Sequence, residues 1–232
     1  MAATDHPISN LLLNSLDRED RELIGALEPV QLELRHVLQE ANQRARFVYF
    51  PEGALVSVVA SAPGRKDIEV GIIGTESMTG LALVQGDTLS PFESFVQVAG
   101  RARRIEADHF VRCLVASPSL KSLLLLHCRM FDLQVASTAI ANSRYQVEER
   151  LARWLVMVSD RVGSDFEITH EFLGLMLGVR RSGVTVALQT LGGRGLVKAT
   201  RGSIAIIDRL GLIRASKGSY GMAEREGDRL VG

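Results

Sequence analysis

From Ser119 to Asp160 the apolar positions recur at alternating intervals of three and four. Leu123, Leu126, Met130, Leu133, Ser137 and Ile140 trace one seam, the spacing that keeps side chains on a single helix face. No Pro or Gly interrupts the run to Asn142, so one helix of more than twenty residues is predicted. Its seam is apolar while its other faces are mixed, which suits pairing with a second copy of the chain better than the alternative of packing along its own domain. A second amphipathic helix follows, with Val147, Leu151, Leu155 and Val158 on one face and Gly163 as its terminator. Upstream the period changes. Phe47–Phe50, Leu55–Val59, Ile68–Ile73 and Phe95–Val98 are short β-rich runs, punctuated by Pro51-Glu52-Gly53, Ala62-Pro63-Gly64, Gly74 and Gly100. Strands of this length and spacing predict a small antiparallel barrel or sandwich. Residues 8–40 read as helical, with Asp17 as an N-cap and Leu23, Leu27 and Val30 at helical spacing.

The last third has an order of its own. Phe166-Glu167-Ile168 reads as a short strand, and Thr169 is a suitable N-cap for a helix over His170–Leu177. Gly178-Val179 breaks that helix, because Gly accepts the positive φ of a tight helix–helix turn. A second helix over Arg180–Leu191 gathers Val184, Ala187, Leu188 and Leu191 into an apolar stripe and leaves Arg180, Arg181, Ser182, Thr185 and Gln189 on or near the opposite face. Two β-runs then meet at Thr200-Arg201-Gly202, with Lys198 and Arg201 near the tip. Helix, turn, helix and basic β-hairpin in this order predict a winged helix-turn-helix. Donor-rich residues at the start of the second helix suit base edges and phosphates in a major groove, and the hairpin cations suit phosphate.

Charge sharpens this picture. The chain of 232 residues has formal net charge zero, yet residues 1–110 hold 10 Lys/Arg against 16 Asp/Glu, whereas residues 167–217 hold 8 against 3. An acidic N-terminal half and a basic C-terminal module point to an anionic partner at one end. At 46% hydrophobic and 23% charged the composition is that of a globular protein. The N-terminus lacks the basic-then-apolar pattern of a signal peptide, and no apolar run is long enough to span a bilayer, so a cytoplasmic protein without a membrane partner is expected. Cys113 and Cys128 form no Cys-x-x-Cys pair and read as buried thiols. The histidines His6, His36, His109, His127 and His170 are scattered, and no nucleophile elbow, phosphate loop or dinucleotide fingerprint is present. Gly192-Gly193-Arg194-Gly195 follows a helix, the wrong electrostatic end for phosphate. An enzyme, a metal site and a cofactor are not expected.

The segment Ile168-Thr169, Gly174, Gly178-Val179-Arg180-Arg181, Val184, Leu188, Leu191 and Gly195-Leu196-Val197 resembles the helix-turn-helix of the cyclic-AMP receptor protein/Fnr (Crp/Fnr) superfamily. Gln146–Leu155 resembles the helix preceding that domain, and Phe50-Pro51-Glu52-Gly53 and Val70–Gly74 resemble turns of its effector barrel. The similarity extends over roughly residues 10–215 and is most specific in the last third.

The resemblance implies an α+β fold in three parts. An N-terminal antiparallel β-barrel of the cyclic-nucleotide-binding, jelly-roll type occupies residues 1–116, a dimerisation helix residues 117–145, and a winged helix-turn-helix residues 146–217; residues 218–232 form a mobile tail. It also implies a homodimeric transcription regulator on a near-palindromic operator, with RNA polymerase as a partner and Thr169, Arg180, Arg181, Ser182, Thr185, Gln189, Lys198 and Arg201 on DNA. The family's nucleotide cassette has a Gly-Glu-Leu turn that binds ribose and an Arg-Ser/Thr pair that neutralises the cyclic phosphate. Here Thr79-Gly80-Leu81 and Phe92-Glu93 stand in those places, and no Arg lies between Arg65 and Arg101. The effector is unassigned and cyclic AMP is not expected to be one. In the second helix Arg181 matches the family arginine, while Ser182 replaces a common glutamate and Val186 a common arginine, so a different operator is expected. Haem sensors occur in this superfamily, but His36 and His109 read as ordinary surface or hydrogen-bonded residues. The competing reading is a ligand-sensing or protein-interaction scaffold that no longer reads DNA.

Overall fold

The computed structural model describes residues 7–64 and 67–231. The expectation that the N-terminus carries no signal peptide falls mostly on residues 1–6, outside the described residues. The chain divides into two compact units, one of Met1–Val58 with Ile72–Arg129 and one of Val59–Gly71 with Met130–Gly232.

The first unit begins with helices α1 (Leu11–Ser15) and α2 (Arg18–Ile24). Asp17 caps α2 as its position predicted, accepting from Asp20 N at 2.8 Å. The helical reading beyond Ile24 is corrected. Gly25 at φ 72° ends α2, and two strands follow, β1 (Glu28–Leu32) and β2 (Val37–Gln39). The Leu23, Leu27, Val30 spacing imitates a helix, but β1 is held by antiparallel pairing with β7 (Gly100–Glu106), from Glu28↔Arg104 to Leu32↔Gly100. A bidentate Arg104–Glu28 ion pair at 2.8 Å locks that register. β7 itself reads as polar because of Arg101, Arg103 and Arg104, and only its partners reveal it as a strand.

The expected closed barrel is also corrected. β3 (Phe47–Pro51), β4 (Leu55–Ala60), β5 (Ile68–Ile73) and β6 (Glu93–Val98) lie where the β-rich runs predicted. With β1, β2 and β7 they form two open sheets, of order β1-β7-β3 and β2-β6-β4-β5. No continuous ladder closes them among the described residues. β2 explains part of this: it is three residues long and its pairing with β6 shifts register between Val37 and Gln39, so it cannot carry a ladder onward. The hydrophobic core of this unit joins Leu12, Val48, Phe50, Met78, Phe110 and Leu120, with Phe50 and Phe110 edge-to-face at 6.4 Å. Helices α3 (Leu81–Gln85), α4 (Ala107–Ala116) and the start of α5 (Pro118–Arg144) complete it. On length and composition alone α5 could cross a bilayer. Arg129 and Asp132 near its middle argue against that, at about 3 kcal/mol each at a bilayer centre.

The second unit is organised around α6 (Val147–Val162), whose start is fixed by a capping box between Gln146 and Glu149 and whose end is Gly163 at φ 93°. Eight consecutive residues, Leu151 to Val158, are buried, so this helix has no solvent face along its middle. Its polar members are satisfied individually. Trp154 Nε1 donates to the buried carboxylate of Glu69 at 2.7 Å, and its ring meets Phe166 edge-to-face at 6.3 Å. Arg153 donates to Ser219 O at 3.0 Å and Thr138 Oγ1 at 3.3 Å; burial lowers its pKa, opposed by Glu224 and Glu69. Around α6 stand β8 (Asp165–Glu167), α7 (His170–Met176), α8 (Arg181–Gly193), β9 (Val197–Thr200), β10 (Ser203–Ile206), α9 (Arg209–Ala215) and α10 (Met222–Val231).

Replacing Trp154 by Phe keeps the ring packing but removes the donor to a buried carboxylate, which is expected to cost about 2 kcal/mol. Urea denaturation will read this as a lower midpoint at unchanged slope.

Candidate nucleic-acid interface

Thr169 caps α7 through its side-chain oxygen, which accepts from Phe172 N at 3.2 Å. The turn to α8 is set by two glycines. Gly178 adopts φ 63°, and Val179 N donates to Gly174 O at 2.8 Å. A Cβ on Gly174 would lie 3.0 Å from Val179 O, so the two helices approach this closely only with hydrogen at that position. Arg150 of α6 donates from Nη2 to Leu177 O at the C-terminal end of α7. This places a guanidinium against the negative end of that helix, and burial lowers its pKa.

In α8 the predicted stripe Val184, Ala187, Leu188 and Leu191 is buried. Arg180 is the N-cap residue, one position before the helix, and makes no side-chain cap bond. Arg181, Ser182 and Gln189 are exposed beside it. Thr185 is half-buried: its hydroxyl donates to Arg181 O at 3.1 Å and lies 3.1 Å from His170 Nδ1, so most of its hydrogen-bonding capacity is used within the chain. Val186, which stands where the family commonly has an arginine, is not counted among the DNA-contacting residues from sequence, yet the structure places it on the surface. It is 61% exposed and lies one turn from Ser182 and one from Gln189 on the outer face, and the i, i+4, i+7 spacing was the available signal. The wing is the β9–β10 hairpin, paired Val197↔Ile206 to Thr200↔Ser203. β8 adds a third strand on β10. Gly202 turns the hairpin at φ 84°, and Lys198 and Arg201 are exposed.

The cations of this module separate into two sets. Arg194 is tied to Glu148 at 2.7 Å, Arg209 to Asp160 at 2.6 Å, Arg214 to Asp208 at 3.4 Å and Lys217 to Glu149 at 2.9 Å. The hydrogen bonds from Asp160 and Glu149 raise the pKa of Arg209 and Lys217 respectively. Arg180, Arg181, Lys198 and Arg201 have no acidic partner among the described residues. Half of the cations behind the sequence-level charge excess are thus neutralised within the fold, and the other half stand at the start of α8 and on the wing.

In the first unit, Thr79 is buried and ties its turn to β3, accepting from Tyr49 N at 2.9 Å and donating its own N–H to Tyr49 O at 2.9 Å. Gly80 at φ 76° begins α3, whose first residue is the half-buried Leu81. Phe92 is exposed and Glu93 half-buried at the start of β6. Of the α5 seam, Leu123, Leu126, Met130 and Leu133 are half-buried, Ile140 is exposed, and Ser137 is buried with its hydroxyl on Leu133 O. Among the described residues no group of three or more His, Cys, Asp or Glu is placed to hold a metal.

The two glycines that differ most in surroundings give a paired test. Gly174→Ala is expected to destabilise by about 1–3 kcal/mol through the clash at the turn. Gly183→Ala, with nothing within 4 Å of its added Cβ, should stabilise α8 by about 0.5–1 kcal/mol. Thermal unfolding of both variants will show opposite shifts.

Residues 149–215 match the family model of the Crp-like helix-turn-helix domain. No curated protein matches the chain. Among solved structures, FixK2 from Bradyrhizobium japonicum is 13% identical with TM-score 0.69, covering 82% of this chain and 97% of its own. A CRP-family transcriptional regulator of Thermus thermophilus is 16% identical with TM-score 0.67, covering 83% and 99%. The c-di-GMP-responsive global regulator CLP of Xanthomonas campestris is 15% identical with TM-score 0.64, covering 82% and 99%. The chain therefore shares the fold of these solved Crp/Fnr-type structures, and its residues 149–215 match a Crp-like helix-turn-helix domain.

Proposed function

We propose that this chain is a sequence-specific, homodimeric DNA-binding regulator of the cytoplasm that does not respond to cyclic AMP. The observation that carries the reading is the selective exposure of Arg180, Arg181, Lys198 and Arg201 while the neighbouring cations are paired with acids. In this reading the start of α8 enters the major groove. Arg181 takes a guanine edge, Arg180 and Thr169 lie against phosphate, Ser182 and Gln189 contact base edges, and exposed Val186 offers a methyl contact to thymine. The start of α8 has no side-chain cap, and while Gly183 N donates to Arg180 O at 2.9 Å, the Arg181 and Ser182 amides are left available to a phosphate. Lys198 and Arg201 on the wing hold the backbone and carry no sequence information. Thr185, spent on Arg181 O and His170, contributes by fixing the helix surface more than by reading a base.

Dimerisation through α5 is supported by its incompletely covered seam, where Leu123, Leu126, Met130 and Leu133 are half-buried and Ile140 is 47% exposed. Two copies joined there would set two α8 helices about one turn of DNA apart on a near-palindrome. A contact with RNA polymerase belongs to the same reading.

In-vitro selection of random DNA on the purified protein, with no ligand added, tests the proposal. An enriched near-palindrome distinct from the standard family site supports it, and no enrichment favours the scaffold reading. Arg181→Ala is expected to lose about 1–3 kcal/mol per half-site on the selected DNA at unchanged melting temperature. Lys198→Ala should weaken all sequences alike and flatten the salt dependence by about one unit per bound chain.

Cyclic AMP is expected to give no saturable heat in the micromolar range by calorimetry. The ribose-binding carboxylate is replaced in Thr79-Gly80-Leu81 and the Thr79 hydroxyl is occupied by Tyr49 N. Glu93 beside the position of the phosphate cation would repel the ligand by about 4 kcal/mol if within ~4 Å at an effective dielectric near 20.

A further inference from the structure

The first unit holds a cavity of about 240 Å³ that lies between α1, α2 and β7, away from Thr79 and Phe92. It is lined by Ile8, Leu13, Leu16, Ile24 and Leu27, with Gly25 and Ala26, and by the guanidinium-bearing side chains Arg21 and Arg103. Leu13, Leu16, Ile24 and Arg103 are buried and form its floor, while Arg21, Gly25 and Ala26 are exposed and mark its mouth. Protein interiors leave few voids larger than a water molecule, and an apolar cavity of about 150 Å³ is large enough to take up benzene.

The walls are held in place by polar contacts. Asn10 caps α1 and donates to Pro51 O at 2.8 Å and Ser77 O at 3.0 Å. Arg21 donates from Nη2 to Leu16 O at 3.0 Å and Asn14 O at 3.2 Å, fixing α2 against the end of α1. Glu52 Oε1 accepts from both Ser9 N at 2.9 Å and Arg103 Nε at 3.1 Å, and this ion pair is almost fully buried. The charge of Arg103 is therefore compensated by Glu52. That of Arg21 has no acidic partner among the described residues. Three acids on or capping its helix are engaged elsewhere: Asp17 caps α2, Asp20 accepts from the Ser117 and Ser119 hydroxyls, and Glu22 pairs with Arg18; the exposed Glu19 makes no ion pair with Arg21 among the described residues. One uncompensated positive charge thus stands at the mouth of an apolar cavity with no aromatic ring to stack a base.

We propose that this cavity binds a small amphipathic carboxylate, such as a medium-chain fatty acid, with its tail against Leu13, Leu16 and Ile24 and its carboxylate on Arg21. The Nε and Nη1 donors of Arg21, without a partner among the described residues, supply the charged hydrogen bonds. The site is independent of DNA reading and is tested without DNA.

The experiment is calorimetric titration of the full chain with octanoate and, separately, octanol. The expected result is one saturable octanoate site per chain, with octanol at least about tenfold weaker for lack of the charge. Arg21→Gln should weaken octanoate by about tenfold. Ala26→Trp, which blocks the mouth without entering the core, should abolish binding at an unchanged melting temperature of the free protein. No saturable heat, equal affinity for octanol, or binding that both variants leave intact overturns the proposal.

Discussion

The burial of α6 on all sides is the constraint from which the second unit follows. A helix whose residues Leu151 to Val158 all leave solvent must be surrounded, and α8, α9 and β8 pack against it. Two polar residues inside that stretch, Arg153 and Trp154, and the half-buried Arg150 just before it cannot be left without partners in a low-dielectric interior. Each bonds a particular group: Arg153 takes Ser219 O and Thr138, Trp154 takes Glu69, and Arg150 takes Leu177 O. The apolar surface supplies most of the driving force, but these directional contacts select one arrangement of neighbours. Arg150 is the member that reaches the helix-turn-helix, because its target is the last carbonyl region of α7.

The helix-turn-helix depends on that support and on two small residues of its own. Gly174 and Gly178 let α7 and α8 meet at a short, sharply turned junction, and the buried stripe of α8 then faces inward. What remains outside is decided by elimination: Arg181, Ser182, Val186 and Gln189 occupy the side of α8 that packing does not use. Ion pairing completes the selection. Arg194, Arg209, Arg214 and Lys217 brace the unit against Glu148, Asp160, Asp208 and Glu149, and the positive potential is left at one end of α8 and on the wing. An overall neutral chain thereby presents a locally basic surface.

Much of this second unit is legible in the residues alone, because its signals are local. The N-cap at Thr169, the terminators at Gly163 and Gly178, and the 3–4 spacing of the α8 stripe act within a few residues of where they occur. The first unit is less legible, since strand pairing is non-local. β1 carries helical spacing and β7 carries three arginines. Each becomes a strand because the other lies beside it, and the paired Glu28 and Arg104 stand 76 positions apart in the chain.

The amino-acid sequence by itself determined the element types from α5 to the β9–β10 hairpin, the order helix, turn, helix, wing, and the side of α8 that turns inward, whereas α10 (Met222–Val231) stands where it suggested a mobile tail. Side-chain periodicity and backbone capping are read out over one or two helical turns, so local chemistry suffices. The tertiary structure alone decided that the β-runs form two open sheets instead of a closed barrel, which cations are free and which are paired, and that Trp154 rests on Glu69. These outcomes depend on which distant groups meet, and on the desolvation each meeting imposes, and no local pattern encodes either.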